Sequence, residues 1–297
     1  MTSRPSRIRL AACVALAALV LAACGGDDAA DAAPITVASF NFPESEILGE
    51  IYAQALEADG YSVERSLNLG ARELIYPELI EGELDLLPEY LGSALVVGFE
   101  QDPPAGIDEG VAALTDAFAA EGVTVLRPAP AENNQAFVVT AAFAEEHGLA
   151  SLSDLAGLDA VSFAGPPECE GRDTCLQGLV GTYGLDQITF ESVQEAAARL
   201  AALDAGDADM ILLFSTDAPL AGGDYVVLAD DAGMLPPENI TPVVRTEVID
   251  SHGDGLTQLL DEVTAAITTD ALQSMNAQAA EGMSAAEIAT AWLETAQ

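Results

Sequence analysis

The chain has 297 residues, half of them hydrophobic, with 49 acidic side chains against nine basic ones and a formal net charge of −40. So acidic a composition excludes nucleic acid as a partner, because phosphate binding needs clustered basic groups, while the apolar half suffices for a sizeable core. Every basic residue is an arginine, which removes a lysine-bearing phosphate loop, a Schiff-base lysine and a serine–lysine dyad.

Residues 1–23 read as a lipoprotein signal peptide. Arg4, Arg7 and Arg9 precede an apolar stretch, 10–23, that is too short to span a bilayer. It ends in Leu21-Ala22-Ala23-Cys24, similar to a bacterial lipobox, with Cys24 as the lipidated first mature residue. An ordinary signal peptide cut near Ala-x-Ala is the alternative. Gly25-Gly26-Asp27-Asp28 starts a polar tether, so 24–34 is assigned to anchor and linker. The expected location is the outer face of the cell membrane, on the periplasmic side where an outer membrane exists. The lipid would be the sole attachment.

Residues 35–39 read as a first strand. Asn41-Phe42-Pro43-Glu44 opens a helix whose apolar face is Ile47, Leu48, Ile51, Ala55 and Leu56, closed by Gly60. A strand at 63–67 and a helix at 72–81, stopped by Gly82, come next. The apolar run 84–87 predicts a third strand, ended by Pro88. Tyr90 and Ser93 then fall just past its carboxyl end, where open α/β sheets bind small ligands. This alternation predicts a mainly parallel α/β sheet.

Further on, a helix ends near Gly122 and strands are expected at 123–126 and 136–140. A second α/β series follows: helix 141–146, strand 161–163, helix 175–183, strand 188–190, helix 192–205 and strand 210–214. Pro236-Pro237 precedes a last strand at 242–245, and the remainder is helical in pattern, with Trp292 as a core anchor. His147 and His252 each stand before a glycine and suit the last turn of a helix. No nucleophile–base pair or metal-ligand cluster is visible, so no enzyme, metal or cofactor is expected.

One unit recurs. Gly82-Glu83-Leu84-Asp85 leads through an apolar run to Tyr90, and Gly206-Asp207-Ala208-Asp209 leads through another to Phe214. The repetition suggests two similar α/β lobes, each presenting an aromatic from a strand end; a common helix-to-strand turn is the alternative. Cys169 and Cys175 are the only cysteines after Cys24, and in an exported chain a disulfide is the default. A metal site there would lack ligands. The bridge would pin 165–175 and hold Arg172 before a helix, suited to a ligand carboxylate; pairing with Glu168, Glu170 or Asp173 is the alternative.

Ser39-Phe40-Asn41-Phe42, Ile47-Leu48-Gly49-Glu50, Pro88-Glu89-Tyr90-Leu91-Gly92-Ser93, Gly165-Pro166-Pro167-Glu168-Cys169 and Phe214-Ser215-Thr216-Asp217 together resemble the glycine betaine/osmoprotectant substrate-binding proteins of ABC importers. The resemblance implies a two-lobed fold of the type II periplasmic-binding-protein kind. Lobe I would comprise 35–137 plus 240–297 and lobe II 138–239, with two hinge crossovers and a ligand cleft between. It implies a monomer that hands a betaine- or choline-like osmolyte to a permease and its ATPase. Tyr90 and Phe214 would stand in an aromatic cage for the methylated cation, Ser93 and Arg172 near its carboxylate, and Asn41 among the other ligand-binding residues. Gln135 and Glu238 fall where other members carry further aromatics, and Phe40 where a lysine is frequent. Phe40 would supply a replacement ring, and Glu238 would balance a positive charge, favouring a choline-like cation. Another small polar solute, such as an amino acid, or a sensory lipoprotein stays open as an alternative.

Overall fold

The structure is a computed structural model that describes residues 33–296. The expected signal peptide, Cys24 and most of the tether lie outside the described residues. The first body opens with β1 (Ile35–Ala38), α1 (Pro43–Ala58), β2 (Val63–Ser66), α2 (Arg72–Glu81) and β3 (Leu86–Tyr90). A single turn α3 (Leu91–Ser93), a π-helical turn at Ala94–Gly98, α4 (Ile107–Ala119) and β4 (Val123–Val125) follow. The chain then crosses to a second body of β5 (Gln135–Thr140), α5 (Ala141–His147), β6 (Val161–Gly165), α6 (Leu176–Gly181), β7 (Ile188–Ser192), α7 (Ala196–Ala205), β8 (Met210–Phe214) and β9 (Tyr225–Val227). It returns through β10 (Ile240–Arg245) to α8 (Thr246–His252), α9 (Asp254–Ala266), α10 (Thr269–Ala280) and α11 (Ala285–Ala296).

The two sheets have the orders β2-β1-β3-β10-β4 and β7-β6-β8-β5-β9. Half of the neighbouring pairs are parallel, fewer than the mainly parallel sheet expected, because β10 runs against both β3 and β4, and β5 against both β8 and β9. Both exceptions are the strands that arrive by a crossing from the other body. Because β5 begins at Gln135, residues 135–137 belong to the second sheet. The division falls ahead of residue 135, not after 137 as expected.

Burial follows from the pleat. On β5 and β8, Phe137, Val139, Met210 and Leu212 enter one cluster while Ala136, Val138, Ile211 and Leu213 enter another on the opposite face. A strand buried on both sides reads as a continuous apolar run, which is why this one is easy to see. In the first body, Ile47, Leu48, Ile51 and Leu56 of α1 join the strands in one core, and Trp292 of α11 packs on it, partly buried.

The repeated unit has a structural meaning. Gly82 and Gly206 both take left-handed conformations, φ 90° and 74°, at the ends of α2 and α7. Asp85 then clamps β1: its N–H donates to the Thr36 carbonyl and its carboxylate accepts from the Thr36 N–H, each at 2.9 Å. Asp209 does the same to Ser162 on β6, at 3.0 and 2.8 Å. The same aspartate thus locks the same parallel neighbour in both bodies.

Pro88 does not end its strand. It lies inside β3, between β1 and β10, opposite Pro242. The flanking bonds, Leu91 N–H to Asn239 carbonyl and Arg245 N–H to Asp85 carbonyl, fix the antiparallel phase. In that phase the Pro88–Pro242 pair is one that exchanges no hydrogen bonds, so the missing N–H groups cost nothing in the ladder between β3 and β10.

The two crossing segments, 126–134 and 228–239, are zipped together. Glu132 and Asn239 form an antiparallel bridge, Asn133 N–H donates to the Glu238 carbonyl at 3.0 Å, and Ile240 N–H to the Ala131 carbonyl at 3.1 Å. They form a two-stranded ribbon joining the bodies.

Candidate ligand-binding site

Beside this ribbon, between the two bodies, lies a cavity of about 590 Å³. From the first body it is lined by Phe42, Pro43, Glu44, Arg72, Tyr90, Ser93, Asn276, Ala279 and Ala280; from the ribbon by Asn133 and Glu238; from the second body by Phe214, Thr216, Asp217 and Ala218. The carboxyl ends of β3 and β8 both open onto it, as the ligand rule for open α/β sheets requires.

Three rings face the space. Tyr90 ends β3 and is buried, and its hydroxyl donates to Glu44 at 2.8 Å. Burial, and then the adjacent Glu44 charge, push its pKa well above the usual tyrosine range, so it remains a neutral donor. Phe42, at the entry to α1, lies 5.8 Å from Tyr90 centroid to centroid. Phe214 ends β8 and is 51% exposed, a large apolar face turned to the cleft.

Carboxylates form the rest of the electrostatic wall. Glu44 is only 4% exposed and collects Tyr90, the Asn133 amide at 2.8 Å and the Asn276 amide at 2.7 Å. Asn276 also donates to the Thr216 carbonyl and Gln273 to the Ser215 carbonyl, so α10 leans from the first body onto the second. Burial raises the pKa of Asp217. Glu238 accepts from the Ser93 N–H at 3.0 Å and the Ser93 hydroxyl at 2.9 Å. Burial still pushes its pKa up to about 7, and the nearby Glu89 adds to that. Gly92 makes this approach possible: a Cβ there would meet the Pro237 carbonyl at 2.8 Å and a Glu238 carboxyl oxygen at 3.1 Å.

One cation lines the cavity among the described residues. Arg72 grips Glu89 with two bonds of 2.7 and 2.8 Å, and Glu89, wholly buried, also accepts from the Tyr76 hydroxyl at 2.7 Å. The guanidinium lies 4.7 Å from the centre of the Phe40 ring.

Tyr90, Ser93, Phe214 and Glu238 are therefore gathered at one cavity, and four other expected residues are not. Phe40 is 3% exposed and stacks behind Phe42 at 6.0 Å, so Phe42 is the ring presented in its place. Asn41 is exposed and does not line the cavity, because Pro43 starts α1 and turns the next side chains inward instead. Gln135 points its amide to Thr174 at 3.0 Å, since the strand partner beside it, Phe214, takes the cleft. Arg172 is exposed and outside the lining. The segment around it does have the expected closure, with Cys169 and Cys175 buried and their Cα atoms 5.2 Å apart, a separation a disulfide spans. Sequence reasoning missed Phe42, Glu44, Arg72, Asn133, Asp217 and Asn276. Phe42, Glu44 and Asp217 stood inside or beside the motifs already noted; nothing local marks Asn276.

Two sheets joined by a double crossing, with a ring- and carboxylate-lined cavity between their strand ends, define a two-lobed solute-binding protein. The chain belongs to the family of substrate binding domains of ABC-type glycine betaine transport systems, OpuAC, whose pattern matches residues 33–295. It is 27% identical over 277 residues to the glycine betaine-binding protein YehZ of Escherichia coli, covering 89% of this chain and 90% of that one. It is 30% identical to a glycine-betaine-binding protein of Pseudomonas aeruginosa, covering 84% and 83%. A crystal structure of a glycine betaine/carnitine/choline ABC transporter superposes with a TM-score of 0.81 at 25% identity, covering 88% of this chain and 98% of that chain.

Proposed function

We propose that this protein is the extracytoplasmic solute-binding subunit of an ABC importer and that its guest is a quaternary ammonium osmolyte. The observation that carries the reading is the cavity: Phe42, Tyr90 and Phe214 offer ring faces, and Glu44, Asp217 and Glu238 offer carboxylates around the same space. A methylated cation is held by ring quadrupoles and by a negative field, and it needs no hydrogen-bond donor at its charged end. The two relatives from Escherichia coli and Pseudomonas aeruginosa are named for glycine betaine, which has such a cation. We further infer that the chain is exported, cut before Cys24 and held by lipid, that it works as a monomer, and that a permease with its ATPase receives the guest.

The direct experiment is calorimetry of the mature chain against glycine betaine, choline, carnitine and proline betaine; saturable binding of at least one is expected. Silence across the panel would leave the fold standing and remove the assignment. Phe214 is the cleanest ring to test, because its exposed side chain supports little else. Phe214→Ala should weaken the bound cation by roughly 3- to 30-fold, the range of about 0.5–2 kcal/mol for one ring. Unchanged affinity would favour a polar solute such as an amino acid, recognised by Asn133, Asn276 and Thr216.

We also infer that Cys169 and Cys175 form a disulfide in the exported protein. Intact mass with and without reduction before alkylation should differ by the modification of two thiols. In the chain-entropy account, closing so short a loop is worth about 2 kcal/mol. Cys169→Ser/Cys175→Ser should therefore lower the urea midpoint, and an unchanged midpoint would argue that the thiols are free.

A further inference from the structure

The donors that a ligand carboxylate would need are already taken by the protein's own carboxylates. The fork of Arg72 is used on Glu89 through both Nε and Nη2. Glu89 is fully buried, so turning Arg72 toward a ligand would strand a buried charge. The second donor set is Ser93, whose N–H and hydroxyl hold the two oxygens of Glu238 separately. That two-point grip is what a bound carboxylate would receive. The backbone is shaped for it, since any side chain at Gly92 would collide with the Glu238 segment. Arg172, the other candidate for a carboxylate, is exposed and away from the lining.

We propose that Glu238 is an internal stand-in for a ligand carboxylate, and that by filling the Ser93 donors it makes the site select a quaternary ammonium cation without a carboxylate over a zwitterion. The proposal rests on the quaternary ammonium reading above and narrows it. A zwitterion entering this cavity would bring its carboxylate against Glu238, with the Ser93 donor pair already filled. A trimethylammonium alcohol keeps the ring and field contacts of its cation, and its hydroxyl can donate to a carboxylate rather than compete with one.

Choline and glycine betaine are a matched pair for the test, because both carry a trimethylammonium group and differ at the other end. Calorimetry at pH 8 on the mature chain should show choline bound at least ten-fold more tightly than glycine betaine. Glu238→Ala and Glu238→Gln, each checked for native far-UV dichroism, should shift that ratio at least ten-fold toward glycine betaine, with glycine betaine itself bound more tightly. In the double variant Ser93→Ala/Glu238→Ala part of the gain should be lost, because the uncovered hydroxyl is gone while the backbone N–H of residue 93 remains. A wild type that prefers glycine betaine, a ratio unmoved by either substitution, or a gain undiminished in the double variant would each overturn the stand-in role. Binding of neither compound, nor of carnitine or proline betaine, by folded wild type would overturn the quaternary ammonium reading together with it, which distinguishes that failure from the other three.

Discussion

Arg72→Ala should lower the unfolding free energy by about 3–5 kcal/mol, the usual cost of removing one partner from a buried ion pair. The substitution leaves Glu89 without its bidentate partner in a position that is 0% exposed. The Tyr76 hydroxyl and the Tyr90 N–H would still donate to it, but neither carries charge. Phe40 would also lose the guanidinium that lies over its ring. Burial works against the charge on Arg72, and the Glu89 carboxylate with its hydrogen bonds outweighs that and holds the arginine pKa above its ordinary value. Removing both charges is a different matter, because a well-packed apolar pair in place of a buried ion pair is often neutral. Arg72→Met/Glu89→Leu should therefore recover part of the loss, the rest remaining because the Tyr76 hydroxyl and Tyr90 N–H lose their acceptor. Urea unfolding of the three proteins decides it; a loss below about 1 kcal/mol for Arg72→Ala would mean that water reaches Glu89 and the pair is not an isolated one.

The second large effect is on pH dependence, through Glu238. Its pKa in the folded chain is about 7, against an ordinary 4.5. Between those values the folded chain keeps a proton on Glu238 that the unfolded chain has released. Stability from this group is therefore fully present at low pH and is lost as pH rises toward 7, by at most about 3 kcal/mol. Glu238→Gln has no such proton to lose. Relative to wild type it should gain stability from pH 5 to about pH 7 and level off above that. Asp217, also raised by burial, titrates in both proteins and cancels in the difference. The groups that face Glu238 are Ser93, which stabilises its charge, Arg72, which does so from further off, and Glu89, which opposes it. A bound cation adds to the first two, so cation affinity in wild type should fall by up to ten-fold per unit as pH drops below 7. The Gln variant should lack that component. A constant difference in stability between the two proteins from pH 5 to pH 8 would show that the Glu238 carboxyl titrates normally.

Local signals carried the elements well where each decision was local. The helix at 72–81 and its stop at Gly82 match the sequence reading residue for residue, because a helix and its glycine cap need no distant partner. The reading of Pro88 failed because the answer lies in Pro242, on a strand that returns only after the whole second body. β9 was missed, since three residues at a sheet edge leave no periodicity to detect. The site divides along the same line. Tyr90, Ser93, Phe214 and Glu238 follow strand ends and the ribbon, where topology alone puts ligands. Arg72 lay in plain view as the first residue of a helix, but its approach to the cavity depends on a buried partner on β3. Asn276 reaches the cavity only because α10 leans across to the second body. Arg172 was misjudged for the opposite reason: a well-pinned loop says nothing about which way its longest side chain will point.

The ribbon formed by the two crossing segments has a kinetic meaning. Glu238 lies in it, and the residue it holds, Ser93, stands on the sheet that α1 and α2 frame. A rotation of the second body about this ribbon would carry Phe214 and Asp217 away from the cavity and break the α10 bonds to the Ser215 and Thr216 carbonyls, while Glu238, Ser93, Tyr90, Phe42 and Glu44 kept their mutual places. Inspection of the guest then precedes enclosure. A solute rejected at the ribbon would then depart before the third ring, Phe214, reached it, so the proofreading step would fall on the open molecule and add nothing to the time that a correct passenger spends inside.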